Sequence, residues 1–116
     1  MSHAVPSEDL ASTAAPYGPT PFLLYVGSSG TARVNHVNAA FTEVVGQIAV
    51  TGFGRGVAKT ITPDSQLSLL WPPHTTDDFS LIADGTASFD DPDTLLLTIS
   101  GAVLHRPAPA PGAGSC

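Results

Sequence analysis

Charge is what this sequence has least of. Only 12% of its 116 residues are Asp, Glu, Lys or Arg, about half the usual share of a globular domain. A surface with so few ions leaves Ser, Thr, Gly, Pro and apolar groups facing water, and a second copy of the chain could cover part of them. Positive charge is rarer still: 4 Lys and Arg stand against 10 Asp and Glu, for a net charge of −6. That balance repels a phosphate backbone and excludes nucleic acid as the expected partner. The one cysteine, Cys116, cannot make a disulfide within the chain, and its place as the last residue suits a mobile thiol and not a nucleophile. No apolar run approaches the ~20 residues of a membrane-spanning helix. The stretch Met1 to Asp9 has neither the basic nor the apolar segment of a secretory signal. The expectation is a cytoplasmic protein with no membrane partner.

What remains is enough for one domain with a hydrophobic core, since 42% of the residues are hydrophobic. Residues 1–6 read as a loose end. Ser7 suits a helix N-cap with Glu8 and Asp9 in the first turn, so a short helix over 7–14 is expected before Pro16, Gly18, Pro19 and Pro21 forbid it. The N-terminal segment is thus 1–16, the main domain 17–106, and 107–116 an irregular tail of Pro, Ala and Gly.

Within 17–106 the pattern is that of strands. The apolar run Phe22 to Val26 is followed by Gly27-Ser28-Ser29-Gly30 and a second strand from Thr31 to about Ala40, a hairpin signature. Further strands are expected at 47–51, 66–71, 79–89 and 95–104. In 79–89 the residues Phe79, Leu81, Ala83, Gly85, Ala87 and Phe89 fall at a spacing of two, which is a half-buried strand with Gly85 as a possible bulge. Two turns of helix fit Val57 to Ile61, stopped by Pro63. The fold class that follows is mainly β, a six-stranded antiparallel barrel with two short helices. Leu23, Tyr25, Ile48, Val50, Leu69, Leu81, Leu97 and Ile99 should form its core.

Chemistry concentrates in Thr51-Gly52-Phe53-Gly54-Arg55-Gly56-Val57-Ala58-Lys59. A strand ends in a loop of alternate glycines that opens a helix, and glycines let a backbone approach a phosphate. Arg55 and Lys59, four apart, share one helix face. Two of the four cations therefore lie within a single turn of an acidic chain, which points to a bound phosphate or carboxylate; ordinary surface cations at a helix end are the alternative. The second strand carries Arg33, Asn35, His36 and Asn38, polar on both faces, as either a ligand-lining strand or a solvated edge would be. His74 with Asp77 and Asp78 has no second His or Cys nearby in sequence, so no metal site is expected. No G-x-S-x-G elbow marks a nucleophilic serine, and His105 reads as structural or surface.

Leu67-Ser68-Leu69-Leu70-Trp71-Pro72-Pro73-His74, followed by Ser80-Leu81-Ile82-Ala83-Asp84-Gly85-Thr86-Ala87, resembles the pyridoxamine 5′-phosphate oxidase family. There a Val-Ser-Leu-Leu-aromatic-Pro strand leads through an acidic loop into a strand ending Gly-x-Ala. The Phe22–Val26 strand, the Gly30 turn, Arg33-Val34, and Thr51 with Gly54 before a basic helix are also similar, so the resemblance spans about residues 17 to 106. It implies the FMN-binding split barrel: a homodimer holding flavin between subunits and acting as an oxidoreductase on a small molecule. Arg33 and Asn38 match strand positions that contact FMN, Thr51 a phosphate-side threonine, and Arg55 and Lys59 the phosphate-binding cations. The family's Gln after the fourth strand is Phe79 or Ser80 here, and the residues that grip the vitamin B6 phosphate have no counterpart, so an activity other than B6 oxidation is implied. The candidate cofactor-binding set is Arg33, Val34, Asn35, His36, Asn38, Thr51, Gly52, Gly54, Arg55, Lys59 and Trp71. A deazaflavin (F420) in place of FMN, a flavin-binding module without catalysis, and an empty dimerising barrel are the alternatives. No catalytic residue stands out, as suits chemistry carried by a cofactor.

Overall fold

The computed structural model describes residues 2–75 and 77–107; the expected tail beyond Pro107, with Cys116, lies outside them. Eight strands and two helices follow in order: β1 (Ser2–Ala4), α1 (Ser7–Ala14) running into a 3₁₀ turn at 15–17, β2 (Phe22–Val26), β3 (Ala32–His36), β4 (Asn38–Phe41), β5 (Gln47–Thr51), α2 (Arg55–Thr60), β6 (Gln66–Trp71), β7 (Ser80–Asp91) and β8 (Thr94–His105). The chain is mainly β, and all the strands belong to one antiparallel sheet in the order β3-β2-β6-β7-β8-β5-β4, with β1 added to β8.

The two terminal strands of that order, β3 and β4, are consecutive in the chain, with only Val37 between them. Val37 is buried. Its N–H donates to Pro21 O, and that of Ala39 to Pro19 O, so the β2 side is followed through the break. Residues 32–41 therefore act as one bent strand that pairs with β2 at its start and with β5 at its end. The sheet curls back on itself, and six strands surround the core when this bent strand is counted once. The six expected strands become eight for two reasons: the bend at Val37 interrupts the second, and the supposed loose end at 1–6 contributes β1. The sequence Ser-His-Ala has no alternation to betray a strand; its pairing is imposed by the edge of β8.

The side chains sort by register. Directly paired residues share a face, and Leu23, Ile48, Val50, Leu69, Leu81, Leu95 and Leu97 are all fully inside. Tyr25 and Ile99 pack against this cluster from its margin. The helices close the ends of the curl. Leu10 and Ala14 of α1 are buried at the end of Trp71, and Val57 with Ile61 belongs to the core at the other. Pro6, and not Ser7, occupies the N-cap of α1, and its carbonyl accepts from Asp9 N–H. Between β7 and β8 the register slips at Asp84/Gly85: Asp84 faces Gly101 but Gly85 faces Ile99, which leaves Ser100 as the extra, bulged residue. A Cβ at Gly85 would collide with the backbone carbonyl of Thr98, so this inward position requires glycine.

Candidate functional site

The expected site residues separate into three places. The first is the end of β5 and the start of α2. Asn38 and Thr51 are cross-strand partners, and the Asn38 amide nitrogen lies so close over Gly52 that a Cβ there would come within 2.9 Å of it. Gly52 and Gly54 both have positive φ, at 80° and 82°, a conformation that lets the chain turn sharply between strand and helix. The space beyond Gly54 is open. Thr51, Gly52, Phe53, Gly54, Arg55 and Ala58 line a cleft of about 350 Å³, with Pro92, Asp93 and Thr94 from the β7–β8 turn as its other wall. Phe53 turns into the core and meets Phe89 edge-on, which anchors the loop.

The second place is β3. Arg33 pairs with Tyr25 and Asn35 with Leu23, so both fall on the inward face. Asn35 accepts a hydrogen bond from the Tyr25 hydroxyl at 3.2 Å. Val34 and His36 fall on the outer face, where His36 stacks on Phe22 and its Nε2 bonds Thr20 O. Polar residues on both faces thus coexist because β3 ends the sheet order: it pairs with β2, and β5 takes up the bent strand only at β4. Tyr25, the neighbour of Arg33, lines a recess of about 240 Å³ together with Thr60 and Ile61, the residues that follow Lys59. Arg55 and Lys59 are exposed on α2, which closes this end of the curl, and the exposed Arg33 lies with its side chain against Gly27 in the β2–β3 turn. None of the three side chains makes a hydrogen bond or ion pair among the described residues. With only six residues, α2 offers little helix dipole, so these side chains carry the positive potential.

Trp71 is elsewhere. It is 2% exposed, stacks on Phe41 with 14° between the rings and gives its Nε1–H to Gly18 O, at the end covered by α1. The rest of that end is a polar clasp. Tyr17 donates to Phe79 O at 2.8 Å, and His74 stacks on Tyr17 while its Nε2 bonds Pro16 O. His74 is thus used locally. Burial, and secondarily the charge of Asp78, raise the Tyr17 phenol above its ordinary value.

One feature has no trace in the sequence. β2 and β6 pair only from Phe22↔Leu70 to Leu24↔Ser68; beyond that, Tyr25-Val26 and Gln66-Leu67 diverge. Recesses open on both sides of this seam, the one beside α2 and an outer groove of about 470 Å³. The seam arises from two strands separated by forty residues, so no local motif could announce it. Among the described residues no group of three or more His, Cys, Asp or Glu is placed to hold a metal, and no helix is long and apolar enough to cross a membrane. No family model matches the chain, and no curated protein or solved structure matches it.

Proposed function

We propose that the chain binds FMN as a homodimer and serves as an oxidoreductase acting on a small molecule. The observation that carries this reading is the set Arg33, Arg55 and Lys59: three of the chain's four cations, on β3 and α2, none with a hydrogen-bond or ion-pair partner among the described residues. A cation left unpartnered in an acidic chain suits an exogenous anion, and an arginine fork beside a lysine suits a phosphate. The residues fit such a group. Arg55 and the open backbone at Gly54 border the same cleft, Thr51 offers a hydroxyl, and Asp93 is the only carboxylate on its lining. Arg55 and Lys59 would hold the phosphate, with Arg33 and Asn35 towards the rest of the cofactor. When bound, a flavin supplies hydride and electron transfer, and the protein's part is to bind, orient and exclude water.

The test is direct. Protein purified without added flavin should be yellow, and denaturation should release a compound with the mass of FMN. A colourless protein that also fails to take up added FMN overturns the reading. The mass of a deazaflavin would replace FMN by F420, and a yellow protein that never oxidises NAD(P)H would leave binding without catalysis.

A further inference from the structure

The outer groove shares Tyr25, Val26, Gln66 and Leu67 with the recess beside α2 but extends over Ser68, Asp84 and Ser100, and none of the cations lines it. Leu24, Val26 and Ala32 form one wall, with Val26 64% exposed. The other side holds Gln66, Ser68, Asp84 and Ser100. Asp84 is the sole ionisable carboxylate or cation on this lining, Tyr25 being the one other titratable group. Ser68 and Asp84 are cross-strand partners on β6 and β7, and the Ser68 hydroxyl donates to Asp84 Oδ1 at 2.5 Å. The bulge brings Ser100 beside Asp84, where its hydroxyl donates to the Asp84 backbone carbonyl at 3.2 Å, and both serines line the groove. Gly101, opposite Asp84, adds no side chain to crowd the spot.

We propose that this groove binds a primary ammonium on a short hydrocarbon arm. Both hydroxyl protons are already directed at Asp84, so the Ser68 and Ser100 oxygens retain lone pairs for an incoming donor. Together with Asp84 Oδ2, which has no hydrogen-bond partner among the described residues, they make three acceptors, and an ammonium has three N–H donors. Because Oδ1 is engaged by Ser68, the two-oxygen grip that a guanidinium prefers is not offered. The arm lies along Leu24, Val26 and Ala32, an apolar wall that otherwise faces water. The sheet itself makes the room: beyond Leu24↔Ser68 no strand pairing fills the gap. The shared chemistry belongs equally to a free alkylamine and to a lysine side chain of a protein partner.

The experiment is an amide NMR titration of the full chain with n-pentylammonium, n-pentanol, methylammonium and n-pentylguanidinium. Pentylammonium should shift the Val26, Ser68, Asp84 and Ser100 amides in a saturable way at millimolar concentration, at least fivefold more tightly than any of the other three. Asp84→Asn keeps an acceptor for Ser68 and should weaken the binding at least tenfold while the remaining spectrum is preserved. A matched titration with 1,5-diaminopentane and with an N-acetyl-lysine amide then separates the sources: the tighter of the two names the free amine or the lysine of a partner. Equal shifts with pentanol, or unchanged affinity in Asp84→Asn, overturn the proposal. So does an Asp84→Asn chain that changes oligomeric state while the titration stays flat, because the groove would then belong to a subunit contact. These outcomes are independent of whether FMN binds in the cleft between Thr51 and Ala58, which shares no lining residue with the groove.

Discussion

Arg55 and Lys59 can be removed without touching the core, since both are exposed. Each charge-assisted hydrogen bond they would make to the phosphate of the proposed FMN is worth about 1.5–3 kcal/mol. The Arg55→Ala/Lys59→Ala chain should therefore bind FMN at least tenfold more weakly, and riboflavin, which has no phosphate, almost as before. Fluorescence titration of both flavins, with circular dichroism to confirm the fold, checks this; equal loss of both flavins with a changed spectrum would make the pair structural. Gly85 is the converse case. Any side chain there meets the Thr98 carbonyl, and overpacking of this kind costs about 1–3 kcal/mol or more, so Gly85→Ala should lower the urea midpoint clearly. Tyr17 gives a pH signature. Its phenol is raised above 10.0 by burial, with Asp78 adding to the effect, so the folded chain holds the proton more tightly than the unfolded chain. Below pH 10 both states keep it and its contribution to stability is complete. As pH climbs through the raised value that contribution is lost. Tyr17→Phe should flatten this alkaline part of a Tm-against-pH curve, while costing about 0.5–1.5 kcal/mol at neutral pH through the lost bond to Phe79.

At the level of elements, strands with internal alternation were legible and strands defined by their neighbours were not. Gln47–Thr51 and Gln66–Trp71 have the expected bounds because their inward residues fall at a spacing of two and are buried. α1 is likewise where the prolines allow it. α2 begins two residues earlier than Val57, at Arg55, directly after the turn at Gly54. β1 exists because β8 is longer than β5: Leu95 to Thr98 pair with β5, and Val103 to His105 are left for residues 2–4. The break at Val37 is equally silent, having neither Gly nor Pro; it is a change of partner strand and not of propensity. The Thr51–Lys59 region could be read because glycines and cations mark it locally, whereas the seam at Val26 and Gln66 is a missing contact between distant strands. The expected core gives the sharpest test of register. Leu69 and Leu97 are 0% exposed, and either change to Ala should cost about 2–5 kcal/mol by chemical denaturation. A change below 1 kcal/mol at both would mean that the strands are misregistered.

The whole molecule carries little charge and several large apolar side chains in water: Val26, Val34, Val44 and Val45 are between 58% and 70% exposed. A monomer with that surface gains from association, and light scattering at micromolar concentration should give twice the mass of one chain. A mass of one chain would leave the cationic end to a single copy, without a partner to cover a bound flavin. β1 has a separate effect at this scale. Ser2 lies against His105, so the last turn of β8 has no bare edge only because residues from the other end of the chain lie on it. Strand edges left open recruit other strands. A chain lacking residues 2–4 would expose the amides and carbonyls of Val103 to His105, and copies would be able to complete one another's sheets. The three-residue strand thus works as a guard against aggregation: its loss should cost little in folding free energy yet shorten the shelf life of concentrated solutions, with turbidity and thioflavin fluorescence rising well below the melting temperature.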